Sequence, residues 1–128
     1  MPITFTVDPA RRLVQATVVG DFDTADIVRV ITGAADHPDF MPGFDILSDH
    51  REVGEPITPK QLRDLTELLR QLSDRFAGGR WAVVASKPAS CGMMRALSTL
   101  TSEGPLRVEV FKTMEEAEEF LASARNPD

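Results

Sequence analysis

The chain has 128 residues, of which 42% are hydrophobic and 27% charged, with a net charge of −6. That length supports one domain, 1–128, able to bury a core without staples. The acidic balance, with its few basic residues scattered, excludes a nucleic-acid surface; no run nears the ~18 apolar residues of a membrane span; and a lone cysteine, Cys91, excludes an internal disulfide.

Residues 3–8, ITFTVD, alternate apolar and polar, which predicts a half-buried rim strand. Asp8-Pro9-Ala10-Arg11 reads as a turn, and 12–19, RLVQATVV, as the antiparallel partner of a hairpin ended by Gly20. Asp23 or Thr24 caps a helix with Ile27, Val28, Ile31, Ala34 and Ala35 at helical spacing; Gly33 inside it points to close packing on the sheet, and His37-Pro38 stops it. Residues 44–49, FDILSD, form the third strand, with Asp49 at its carboxyl end and a polar loop, HREVGEPI, over 50–57.

Thr58-Pro59-Lys60-Gln61 is a capping box with proline at the first helical position. Leu62, Leu65, Leu68, Leu69, Leu72 and Phe76 follow on one helical face, and Gly78-Gly79 end it. RWAVVAS, 80–86, is continuously apolar and reads as an inner strand. A helix from about Ser90 carries Met93, Met94, Leu97 and Leu100 inward until Gly104-Pro105. RVEVF, 107–111, alternates and suits the other rim; Thr113-Met114-Glu115-Glu116 is a second capping box, opening a helix that buries Ala117, Phe120 and Leu121. The expected fold is α/β: an open five-stranded mixed sheet, an N-terminal antiparallel hairpin followed by parallel strands, with four helices.

The element order, with His37-Pro38-Asp39-Phe40, then Pro42-Gly43, then a strand ending at Asp49, resembles the SpoIIAA-like family, whose fold is that of STAS domains and is related to the CRAL-TRIO lipid-transfer fold. The resemblance covers nearly the whole chain. It implies a bacterial, noncatalytic binding or regulatory module. The anti-sigma antagonist type of STAS domain carries a phosphorylatable serine in a turn after this strand. Here the turn reads Asp49-His50-Arg51-Glu52-Val53-Gly54, with no serine after Asp49, so the resemblance carries over a docking surface and not that switch.

Open α/β sheets place ligands beyond the strands' carboxyl ends, which singles out Asp49, His50 and Arg51, together with Ser86, Ser90, Cys91 and Met93 at the next parallel loop. Each has a plainer use: Asp49 orders a turn, Ser90 caps a helix, Cys91 is a small hydrophobe, and Met93 and Met94 fill the core. A base such as His50 within hydrogen-bond reach of Cys91 would point to an enzyme. Two distant histidines with no third ligand supply no metal site, and SKPASCG lacks the glycines and Lys-Ser/Thr of a phosphate loop. No cofactor and no catalysis are expected. The expected partner is a small apolar molecule or a protein, with a homodimer left open. The alternative is a carrier of a small apolar ligand or lipid, which a cavity beneath the helices would favour. The start, MPITFTVD, shows no secretory signal, and a cytoplasmic location is expected.

Overall fold

The computed structural model describes residues 1–104 and 106–123. In chain order these form β1 (Ile3–Asp8), β2 (Leu13–Gly20), α1 (Thr24–Ala35), β3 (Asp45–Val53), α2 (Pro59–Gln71), α3 (Ser73–Phe76), β4 (Arg80–Val84), α4 (Pro88–Leu100), β5 (Arg107–Phe111) and α5 (Met114–Ala122). The sheet has five strands in sequence order; β1 and β2 are antiparallel and the remaining pairs parallel. The two alternating strands stand at the rims, and β4 is inside, with Ala82, Val83 and Val84 fully buried.

Local chemistry sets the boundaries. The Asp8 carboxylate accepts the backbone N–H groups of Ala10 and Arg11, closing the hairpin turn. Arg12 takes a φ of 52°, so β2 begins at Leu13, one residue later than the apolar run suggests. Asp23 and Thr58 cap α1 and α2 with complete capping boxes, through Asp26 and Gln61. Thr113 caps α5, but the Glu116 carboxylate bonds the Thr113 hydroxyl, so the reciprocal half of that box is missing. A Cβ at Gly33 would sit 3.1 Å from the Phe5 ring, which is why α1 lies so close to β1. Val28, expected inward, faces out, while Val30 is buried.

The described residues form five helices, where four were expected. At Leu72 the backbone reaches φ −100° and ψ 21°, and the expected long helix splits into α2 and α3. The break directs Phe76 onto Phe40, their ring centroids 5.3 Å apart, while Arg75 reaches back to the Ala35 carbonyl and the Asp36 carboxylate. Tertiary contacts override helical periodicity here.

Two unequal layers cover the sheet. On one face α1, α2 and α4 bury the main core, including Val14, Ile46, Leu65, Trp81, Met94 and Leu97. On the other, α5 covers Leu13, Leu47, Ala82 and Val84 with Ala117, Phe120 and Leu121. The carboxyl end of α5 is anchored by Arg80. The Arg80 guanidinium forms a bidentate pair with Asp45 and donates to the carbonyls of Phe120, Leu121 and Ser123 at the end of α5, lying over the Phe120 ring. Both partners are nearly buried, with 12% and 11% of their side chains exposed. Cations suit helix carboxyl ends, and a planar fork serves several acceptors at once.

Two substitutions test these joints. Thr58→Ala should lower stability by about 1 kcal/mol, read as a shift in urea midpoint at unchanged slope. Asp45→Ala leaves Arg80 without its carboxylate in a buried setting and should cost about 3–5 kcal/mol; a loss below about 1 kcal/mol would show that the helix-end carbonyls alone suffice.

Candidate functional site

The site grows from β3. A strand sends alternate side chains to opposite faces. Ile46, Ser48 and His50 therefore face α1, α2 and α4, while Leu47 and Asp49 face the side of α5. β3 runs on to Val53, so His50 and Arg51 lie within the strand rather than on a loop, and Asp49 is mid-strand rather than at its end. The strand survives this polar stretch because β2 continues beside it.

The pairing slips once. Thr17 pairs with Asp49, but Val19 pairs with Glu52, so β3 carries one extra residue between them. Such a bulge changes which face later residues take. Without it Glu52 would follow Ser48 and His50 into the core; with it Val53 turns inward and is buried, and Glu52 stays exposed.

Beneath the helices lies a cavity of about 90 Å³. Its wall is almost entirely apolar, including Val14, Ala16, Ile46, Val53, Ile57 and Met94, and among the described residues no Lys, Arg, Asp or Glu lines it. The polar side chains on it are Ser48, His50, Ser90 and the Trp81 indole. Three of these form a chain: Trp81 Nε1–H donates to Ser48 Oγ at 2.8 Å, and Ser48 Oγ lies 2.9 Å from His50 Nε2. Burial pushes the His50 imidazole down to about 4, against a weaker upward pull from the Asp49 charge. At neutral pH the cavity thus holds a neutral imidazole.

The expected site residues divide between places. Asp49 is committed elsewhere: its carboxylate accepts the Arg51 backbone N–H and pairs with the Arg51 guanidinium at 2.8 Å. The Arg51 hydrogen bond holds the Asp49 carboxyl below its ordinary value of 3.8. Ser86 is exposed outside the cavity. Ser90 is not a cap; Lys87 occupies that position with no side-chain cap bond, Pro88 follows at the first helical position, and Ser90 turns inward, 5% exposed, onto the cavity. Met94, four residues on, also lines it, whereas Met93 only packs against the core nearby. The Cys91 thiol is buried and donates to the Ala85 carbonyl, with no hydrogen bond to His50. His37 accepts the Asp39 N–H through Nδ1 and serves the chain turn after α1. Among the described residues no group of three His, Cys, Asp or Glu is placed to hold a metal ion, and no helix is long and apolar enough to cross a membrane.

The loops after β3 and β4 are neighbours, as parallel geometry requires: Lys87 Nζ donates to the Val53 carbonyl. The loop after β2 joins them, with Gly54 N–H donating to the Gly20 carbonyl and Glu55 N–H to the Asp21 carboxylate. What sequence reasoning missed are Ala16, Ser48 and Trp81. Ser48 carried a signal, being a polar residue two before His50 inside a buried apolar strand, hence on the same face. Trp81 needed a partner for its indole N–H wherever it was buried.

The neutral His50 has a consequence for stability. Its folded value, about 4, lies below the ordinary 6.5, so the unfolded chain takes up this proton first. The contribution is complete above about 6.5 and is lost as the pH falls toward about 4, up to about 3 kcal/mol in all. Asp49, also lowered, adds a loss only in more acidic solution. Urea unfolding between pH 4.5 and 7.5 should show this decline in the wild type and a shallower one in His50→Phe; equal slopes would mean that His50 is not held neutral by the fold.

No protein-family model matches the chain, and no curated protein does. Among solved structures it is similar to an uncharacterised protein of the DUF3478 family from Shewanella loihica PV-4, described as having a SpoIIAA-like fold. The two share 15% identity over 94% of each chain, with a TM-score of 0.62. At that identity the likeness is one of architecture, and it shows that this chain has a SpoIIAA-like α/β fold.

Proposed function

We propose that this protein is a noncatalytic binding module for a small, mostly apolar molecule, held between the sheet and helices α1, α2 and α4. The observation that carries this reading is the cavity itself: an apolar wall with a few polar groups on one side, the usual make-up of a small-molecule site. A core meant only for packing would close such a space, since voids cost stability. The reading places the site at Ser48, His50, Ser90 and Met94, under the loops where the sheet's parallel strands end. Asp49, Arg51 and Ser86 lie outside it. A regulatory role, in which the bound molecule alters docking of a partner at those loops, is compatible with this placement and belongs to the same proposal.

The carrier alternative also rests on a cavity, but size separates the two. About 90 Å³ is less than the ~150 Å³ that accepts benzene in a dry protein cavity, so a lipid tail does not fit the cavity as it stands. An occupant of a few heavy atoms does.

Xenon tests the cavity without presupposing a ligand's chemistry, since it enters apolar cavities. Under xenon pressure, methyl signals of Ala16, Ile46, Val53 and Met94 should shift together and saturate. Ala16→Leu, which fills the space, should abolish the shifts while the protein stays folded. Small linear shifts spread over the whole molecule would sink the binding reading.

A further inference from the structure

Resting on that reading, the hydrogen-bond chain beside the cavity specifies the ligand's polar group. Ser48 has one hydroxyl proton and two lone pairs. One lone pair receives the Trp81 N–H, at 2.8 Å. The proton then needs an acceptor, and among the described residues the one in reach is His50 Nε2, at 2.9 Å. If Nε2 instead carried the proton, the Ser48 hydroxyl would receive two donors and its own proton would be left unpaired in a residue that is 3% exposed. The satisfied arrangement therefore runs one way: Trp81 to Ser48 to His50. A neutral imidazole that accepts at Nε2 carries its proton on Nδ1.

That Nδ1–H has no acceptor among the described residues, and His50 lines the cavity. A second group points the same way. Ser90 is 5% exposed, lines the same cavity, and its hydroxyl bonds no other described residue. It stands in the first turn of α4, where the helix's partial positive end favours an electron-rich atom. With no charged side chain among the described residues of the wall, a carboxylate or ammonium would enter without a counter-charge. We infer that the cavity takes the carbonyl end of a small neutral molecule, a ketone, aldehyde or ester, whose oxygen accepts from His50 Nδ1–H, with the Ser90 hydroxyl as the second donor. The chain of three residues polarises toward the ligand, so that the buried indole fixes the direction of a bond two residues away.

Two measurements on the full-length protein at pH 7.5 test this. Long-range proton–nitrogen correlation should show His50 protonated on Nδ1 and bare on Nε2; the reverse tautomer overturns the proposal. Cyclobutanone and methylenecyclobutane are then titrated in parallel, being nearly the same shape and differing in one acceptor oxygen, with the Trp81 indole N–H signal as the readout. His50→Phe should weaken cyclobutanone by roughly three- to tenfold and change methylenecyclobutane by less than about twofold, the difference expected for one neutral hydrogen bond. Ser90→Ala, a milder change, should act in the same direction, and it carries the test if His50→Phe does not fold. Binding of both probes with no difference on substitution overturns the carbonyl assignment and leaves the cavity reading intact. Saturable binding of propionate, which has as many heavy atoms as cyclobutanone, in preference to the ketone overturns it too. Failure of both probes to bind, together with failure of xenon, overturns the binding reading on which it rests.

Discussion

A strand covered on both faces has nowhere neutral to put a polar side chain, and β3 is such a strand. Each polar residue from Asp45 to Arg51 is consequently assigned a partner. Asp45 meets Arg80, Ser48 meets Trp81 and His50, and Asp49 meets Arg51. Because side chains alternate, these pairings sort themselves onto opposite faces. The one-residue slip against β2 then resets the alternation, keeping Glu52 out of the core and bringing Val53 into it. The cavity depends on this reset, since Val53 supplies part of its wall and a buried glutamate there would need a counter-charge.

The two ion pairs on β3 do different work. Asp45–Arg80 is nearly buried and ties three elements together: β3, β4 and the carboxyl end of α5. Its several hydrogen bonds offset the cost of removing two charges from water. Asp49–Arg51 is more exposed, joining residues two apart beside the bulge, and its contribution is local. His50 stands on the opposite face of the strand from both aspartates, and its neutrality follows from its apolar surroundings. Its neighbour's negative charge acts against that burial without overcoming it.

The likeness to a SpoIIAA-like structure concerns architecture, and architecture leaves function open. The segment 50–53, expected from the sequence to be a loop, is here strand, carrying the bulge and the Arg51 end of the Asp49–Arg51 pair.

The sequence by itself determined the strand order's ingredients, the rim positions of ITFTVD and RVEVF, the cap at Thr58, a cap at Asp23 or Thr24, and the packing role of Gly33, because each is governed by contacts within a few residues or by a simple period. It also singled out His50 and Ser90, since parallel strands bring their carboxyl-end loops together, and the structure sets both on the wall of one cavity. Only the tertiary structure decided which side chains share a space. Whether β3 stops at Asp49 or continues to Val53 depends on β2 lying alongside; where the alternation slips depends on that pairing's register; and the break at Leu72 depends on Phe40 waiting for Phe76. Asp49, adjacent to His50 in the chain, was sent to the opposite face, while Trp81, distant in the chain, was brought within two hydrogen bonds of it. Adjacency in sequence sets neighbours along a strand, but a site is made across strands, and the register that sets those neighbours exists only once the sheet has formed.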